Sequence, residues 1–325
     1  MMETIIFKTI ELNGVKSKQI CTSYSQIQTW LDCPYRWKLD YLLGQRQPAV
    51  SEPLSLGTAI HETLEQYFNG VKDGKEFTLA EAQDMLDFNM DVNDIPFASE
   101  ENKVIAEQQH SEMIKGLVGG TSELAKFMKD KEVVACEKDF KLCVKLPFDI
   151  LFDGDRYNHI YIIGSIDFIV KDRSGGLHVV DFKSGKTLFK PKKLKENLQL
   201  KIYSLVIKEI YGRLPVSTQY YFTRMDEFQN VLPLANREED RICEYYKNGK
   251  VKTMGSLVGE IYEQLVDIFR EQYTTCSYIA KPCVLCSWCG HSPLYGEQSP
   301  CKFAQKYIRK DIPIPKPKAK RIIKA

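Results

Sequence analysis

The segment from Gly164 to Lys186, GSIDFIVKDRSGGLHVVDFKSGK, places the tightest constraint on what this chain can fold into. Its apolar residues are β-branched or aromatic: Ile166, Phe168, Ile169 and Val170 on one side, Val179, Val180 and Phe182 on the other. That composition suits strands. Asp172-Arg173-Ser174-Gly175-Gly176 between them is a dense turn signal. With the turn centred on Ser174, Lys171 faces Leu177, Val170 faces His178, and Asp167 faces Asp181. Opposed residues point to the same face of the pair, with Cβ atoms roughly 5 Å apart, so two carboxylates are set against each other and call for a cation. Strand alternation returns Lys183 to the same face. Two acids and a lysine on one patch match a site that binds a divalent metal and activates water. A register slip of one residue would turn these side chains to the other face.

The rest of the chain arranges itself around this hairpin. Thr4 to Ile10 reads as a short strand before a turn at Asn13-Gly14. Ser23 or Ser25 caps a helix through Ile27, Trp30 and Leu31. Cys33-Pro34 interrupts it, and a second helical stretch runs from Tyr35 to Gly44, with Trp30, Trp37 and Tyr41 as core. Gly57 to His61 opens a further helix, on which Leu64 and Phe68 share one face and His61 and Glu65 another. Residues 76–130 read as helical and acidic. Strands follow at Val133 to Leu142, Tyr157 to Lys171 and Leu177 to Lys183, and Glu137 in the first has a place from which to point toward the same patch. Ser184-Gly185-Lys186-Thr187 ends like a phosphate-binding loop, but Val180 stands where that loop needs its first glycine. Lys186, Lys190, Lys192, Lys193 and Lys195 form a basic run suited to phosphate contacts. A helix with Leu198, Ile202, Leu205 and Val206 as its stripe places Gln199 and Tyr203 one turn apart. Pro215 to Thr223 is another strand, and residues 236–272 are an amphipathic helix or two.

Charge and cysteine usage narrow the class. The chain has 325 residues and a net charge of +2, so overall charge does not mark a nucleic-acid binder. From Lys306 to Ala325, however, eight basic residues stand against one acid, which leaves the rest of the chain net acidic. The first twenty residues lack the apolar core of a secretory signal. No apolar run approaches the roughly 18 residues of a membrane helix. The expected setting is intracellular and cytoplasmic, with no membrane partner. Ten cysteines in such a chain point to metal or redox chemistry. Cys21, Cys136, Cys143, Cys243 and Cys276 are scattered and read as small buried hydrophobes. Cys283, Cys286, Cys289 and Cys301 are clustered, at a density that holds zinc or an iron–sulfur cluster.

With these pieces in place, the chain resembles the RecB-like branch of the PD-(D/E)XK nuclease superfamily. It is most similar to exonucleases that carry an iron–sulfur cluster, such as the AddB nuclease domain, the CRISPR-associated four-cysteine exonucleases and related phage proteins. The motifs run in family order: SYSQIQTWLDCPYRWKLDYLLG with Cys33, GTAIHETLE with His61, GSIDFIV with Asp167, VVDFKSGK with Asp181 and Lys183, QLKIY with Gln199 and Tyr203, and CSWC with a later cysteine. The resemblance implies an α/β, restriction-endonuclease-like core in which helices flank a mixed central sheet. It divides the chain into a helical part (1–130) contributing Cys33 and His61, the nuclease core (131–235), a C-terminal helix and cysteine segment (236–310) and a basic flexible tail (311–325).

It also implies Mg²⁺ or Mn²⁺ on His61, Asp167 and Asp181, with Lys183, Gln199 and Tyr203 as catalytic partners and Lys186, Lys190, Lys192 and Lys193 on DNA. A [4Fe–4S] cluster would sit on Cys33, Cys286, Cys289 and Cys301. The long gap between Cys289 and Cys301 leaves open a local set of Cys283, Cys286, Cys289 and Cys301, and zinc stands as the alternative metal. The implied activity is metal-dependent exonucleolytic hydrolysis of single-stranded DNA or duplex ends in recombination, repair or end processing, with a helicase or recombination partner. A structure-specific or nicking endonuclease, or a non-catalytic iron–sulfur DNA-binding module, is the alternative.

Overall fold

The structure, a computed structural model, describes residues 6–12, 14–46, 52–232, 257–292 and 301–304. The chain opens with β1 (Phe7–Leu12), β2 (Val15–Thr22), α1 (Tyr24–Asp32) and α2 (Pro34–Trp37), which runs on as a wider helical turn over Lys38–Leu42. Four helices follow: α3 (Glu52–Lys72), α4 (Leu79–Val92), α5 (Glu100–Val118) and α6 (Glu123–Met128). Then come β3 (Lys131–Phe152), β4 (Asp155–Asp172), β5 (Leu177–Lys183), α7 (Pro191–Glu196), α8 (Gln199–Tyr211), β6 (Ser217–Phe222), β7 (Glu227–Leu232) and α9 (Leu257–Arg270). These fall into two compact units interleaved in sequence: residues 1–50, 141–163 and 240–325 in one, 51–140 and 164–239 in the other. Cys33 and His61, grouped by the sequence in one helical part, belong to different units.

In the first unit β1 and β2 form an antiparallel hairpin, and β2 runs parallel to the start of β4 from Ile20↔Ile160 to Thr22↔Ile162. The sequence reading put one strand at Thr4 to Ile10 and none at Val15–Thr22. The described strand begins at Phe7, and residues 1–5 lie outside the described residues. β2 has no apolar alternation to mark it: Lys16 and Lys18 at its start are exposed, and of its described side chains only the last three, Ile20, Cys21 and Thr22, are buried. Ser23 caps α1, its Oγ accepting from Gln26 N–H at 3.3 Å. Cys33 ends that helix in an extended conformation, and Pro34 starts the next, as expected for a ring that pre-sets the first helical φ. Trp30, Trp37 and Tyr41 are buried core, and Trp37 stacks on Tyr278 at 6.3 Å. α9 buries Ile261, Leu265 and Phe269. The expected helix before it, over 236–256, and the tail at 311–325 lie outside the described residues.

In the second unit the sheet is mixed. β4 and β5 are antiparallel, β5 and β6 parallel, β6 and β7 antiparallel. The hairpin register runs from Lys171↔Leu177 to Phe168↔Val180, the alignment expected from the turn. Alternation then sorts the faces. Phe168, Val170, Val180, Phe182 and Tyr221 pack with Leu56, Ile60, Leu64 and Phe68 of α3 and with apolar residues of α4 to α6. Phe68 lies 4.3 Å from Phe168 between ring centroids. Each such side chain contributes about 1.5–3 kcal/mol by burial, so a register slip that exposed this set would cost far more than the hairpin's hydrogen bonds return. α8 buries Leu200, Ile202 and Leu205 and covers the opposite face. Asp181 and Lys183 therefore point away from the larger core and toward α8. Among the described residues no helix is long and apolar enough to cross a membrane.

Candidate active site

β5 supplies the two central groups. Asp181 is 1% exposed, and the Lys183 ammonium makes an ion pair with its Oδ2. Apart from that ion pair neither Asp181 oxygen has a hydrogen-bond donor. Asp167, on the neighbouring strand, is also buried. Its Oδ2 accepts from Phe182 N–H at 2.8 Å. Burial and the nearby Asp181 charge push the Asp167 carboxyl up to about 7, against the pull of His61 and Lys183. A buried acid held so far above its usual range sits among groups with an excess of negative charge.

His61 enters from α3. Its Nε2 lies 2.9 Å from Phe182 O. A carbonyl only accepts, so Nε2 carries the proton and donates. In the metal-free protein a second proton sits on Nδ1, which faces Asp167 Oδ2 at 3.4 Å and Glu137 Oε1 at 3.6 Å; once that proton leaves, the Nε2–H bond to Phe182 O leaves the Nδ1 lone pair turned to the same place. Burial opposes charge on the ring, but the Glu137 hydrogen bond and the Asp167 and Asp181 charges outweigh it and raise His61 to about 9. Glu137 reaches the site because its backbone adopts a left-handed φ of 42° within β3. That is strained for a non-glycine residue and re-aims the side chain. Its Oε2 accepts from Ser165 Oγ at 2.7 Å.

The ligand atoms of His61, Glu137 and Asp167 all lie within 4.8 Å of one another. One imidazole and two carboxylates suit a divalent metal of the Mg²⁺ or Mn²⁺ kind. Asp181 lies outside this group: its Oδ2 is taken by the Lys183 ammonium, and its Oδ1 has no hydrogen-bond donor among the described residues. The sequence names His61, Asp167 and Asp181 as ligands and gives Glu137 a strand position from which to point toward the same site. The structure places Glu137 in the compact triad and turns Asp181 to Lys183.

A chain of contacts leads from Lys183 into α8. Lys183 Nζ donates to Gln199 Oε1 at 3.2 Å, and Gln199 Nε2 donates to Tyr203 OH at 3.2 Å. Asn197 Oδ1 accepts from Gln199 N–H at 2.8 Å and from Tyr220 OH at 2.6 Å. Asn197 and Tyr220 were not singled out from sequence, where nothing marks them. Burial first, then the Asp181 and Asp167 charges, hold the Tyr203 phenol well above its usual range, so it stays a neutral hydrogen-bonding group.

A family model for the PD-(D/E)XK nuclease superfamily matches residues 22–294. The chain belongs to the PD-(D/E)XK nuclease superfamily. Its core is a mixed sheet flanked by helices, with Asp167, Asp181 and Lys183 on the β4–β5 hairpin. A nuclease, hence hydrolase, activity is consistent with that membership and with the candidate metal-binding triad. No curated protein matches the chain closely enough to stand as a relative.

The remaining expected residues divide. Lys186 pairs with Glu52 at 3.8 Å, and Lys192, largely exposed, with Glu196 at 3.9 Å. Lys190 and Lys193 line a pocket with Lys183. In the first unit Cys33, Cys283, Cys286, Cys289 and Cys301 all line one pocket. Cys33 Sγ accepts from Lys281 N–H at 3.5 Å, and Cys286 Sγ from Cys283 N–H at 3.3 Å. Among the described residues no three cysteine sulfurs lie within 4.8 Å of one another.

Proposed function

We propose that this protein is a metal-dependent DNA exonuclease acting at DNA ends in recombination, repair or end processing. The observation that carries the reading is the meeting of His61 Nδ1, Glu137 and Asp167 beside Lys183. His61, Glu137 and Asp167 would hold Mg²⁺ or Mn²⁺, with Asp181 as a further ligand through Oδ1, the oxygen not paired with Lys183. When bound, the metal lowers the pKa of water and polarises a phosphoryl oxygen. Lys183, held between Asp181 and Gln199, orients the attacking water and offsets charge that develops on the phosphoryl oxygens. Gln199 and Tyr203 keep the lysine aimed by their own hydrogen bonds. Lys190 and Lys193 contact the backbone of the DNA.

The five cysteines on one pocket, with backbone N–H groups aimed at two of their sulfurs, support a [4Fe–4S] cluster on Cys33, Cys286, Cys289 and Cys301. Sulfurs on one zinc at 2.3 Å stand roughly 3.8 Å apart. A cluster that takes each thiolate on a different iron accepts wider spacing, which favours it over zinc. End-labelled linear single strands and covalently closed single-stranded circles test the activity together. Degradation of the linear strand with the circle intact is expected. Cutting of the circle would convert the assignment to an endonuclease.

A further inference from the structure

We propose that the pocket between the β5–α7 loop and β6 is a subsite for one unstacked nucleotide beside the bond to be cut. It rests on the reading of Lys183 as part of the nuclease centre. The pocket encloses about 400 Å³ and is lined by Lys183, Leu188, Phe189, Lys190, Lys193 and Phe222, a volume within the range of small-molecule sites. Its floor is aromatic. Phe189 meets Tyr220 at 5.0 Å and Phe222 at 5.3 Å, each edge to face. Its cations are Lys183, Lys190 and Lys193, and Lys193 Nζ lies over one face of the Phe189 ring, 4.4 Å from the centroid, where its flexible side chain swings aside for a base to stack. Lys186 and Lys192 have acidic partners, whereas Lys190 and Lys193 have none among the described residues.

The loop that carries Phe189 is held in place. Phe189 N–H donates to Gln229 Oε1 at 2.9 Å, and Gln229 Nε2 donates back to Phe189 O at 3.2 Å. One side-chain amide thus satisfies both backbone groups of Phe189, as a neighbouring strand would, and the ring is presented at a fixed position.

An apolar aromatic floor beside these ammonium groups matches one chemistry: a flat base joined to a phosphate. Lysines alone would serve phosphate contact on any nucleic acid. The aromatic floor adds a surface that only an unstacked base can use, and a paired duplex keeps its base faces stacked internally. The pocket therefore takes a single-stranded or frayed end, with the base inside and the adjoining phosphate near Lys183.

The test is binding of the full-length protein in EDTA at low salt, read by fluorescence anisotropy. The probes are a single-stranded oligonucleotide, the same strand with one abasic residue moved stepwise from the end, and a blunt duplex. We expect one abasic position to weaken binding about tenfold, the scale of one base stack. Phe189→Leu should weaken the intact strand by a similar factor and remove the sensitivity to that position, a coupling that independent sites do not show. Lys190→Gln and Lys193→Gln should each reduce the salt slope by about 0.7. Indifference to the abasic residue at every position would overturn the proposal. So would additive losses, duplex binding as tight as single-strand binding, or no single-strand binding. No metal is present and no cleavage is read, so such a failure leaves the nuclease reading standing. Metal-dependent cleavage at the native rate in Lys183→Ala would sink that reading instead.

Discussion

The metal-free protein should be more stable with Asp167→Asn than with its native aspartate at pH 8. Asp167 is buried, and its carboxyl is pushed from 3.8 to about 7, first by burial and then by Asp181. Between pH 4 and 7 the folded protein holds a proton that the unfolded chain has released, so stability falls as pH rises through this window. At 1.36 kcal/mol per pKa unit, the cost above pH 7 is about 4 kcal/mol. His61 shifts from 6.5 to about 9; its stabilisation is complete below pH 6.5 and lost as pH rises to 9. The substitution removes the Asp167 penalty but also one of the charges that stabilise protonated His61. We therefore expect about half, ~2 kcal/mol, as net gain. At roughly 2–4 °C per kcal/mol for a unit of this size, the melting temperature in EDTA should rise by about 4–8 °C. The asparagine oxygen still accepts from Phe182 N–H, so the hairpin contact survives. Melting scans in EDTA and in Mn²⁺ from pH 5 to 9 read all of this. The native protein should lose stability with pH in EDTA and regain it with Mn²⁺. A native melting temperature that is flat or rises with pH in EDTA, or an Asn variant less stable at pH 8, would refute the charge-excess argument.

Glu137→Gln should weaken Mn²⁺ binding at least tenfold, by analogy with the 10–100-fold cost of losing outer partners of metal ligands, as measured by titration calorimetry; unchanged affinity would remove Glu137 from the ligand set. Lys183→Ala should lower the cleavage rate about 10²–10³-fold, the scale of one lost electrostatic stabiliser, while Mn²⁺ affinity holds, and steady-state rates on end-labelled DNA decide it. Gln199→Ala should act in the same direction but more weakly, because Lys183 keeps its contact with Asp181. Cys33→Ala should bleach the visible absorbance of anaerobically purified protein and Cys283→Ala should not; the reverse result would assign the local cysteine set instead.

The hairpin was legible because three local signals agree: β-branched strands, a glycine-rich turn and period-two alternation. Together they fix a register from which the opposition of Asp167 and Asp181 and the return of Lys183 follow. Gln199 and Tyr203 were legible as a one-turn pair on an amphipathic helix. His61 was not legible from pattern alone, since a single histidine on a helix carries no address; the resemblance supplied its place. The left-handed backbone at Glu137, inside a strand, was not legible, because no glycine marks that position in the sequence. The lysine run looks uniform in sequence because Glu52, which pairs with Lys186, lies far away in the chain; Glu196, four residues after Lys192, is the local exception. β2 stayed hidden because its exposed start carries Lys16 and Lys18 and, of its described side chains, only the last three are buried.

The central claim is that the His61–Glu137–Asp167 group and Lys183 form one metal-dependent hydrolytic centre. The most direct measurement is cleavage of end-labelled single-stranded DNA by the purified native protein and by Asp167→Asn, each titrated with Mn²⁺ and then with EDTA. We expect native cleavage that rises with Mn²⁺ and stops with EDTA, and none above background in a folded Asp167→Asn protein. Cleavage that persists in EDTA, or survives in Asp167→Asn with the same dependence on Mn²⁺, would contradict the claim.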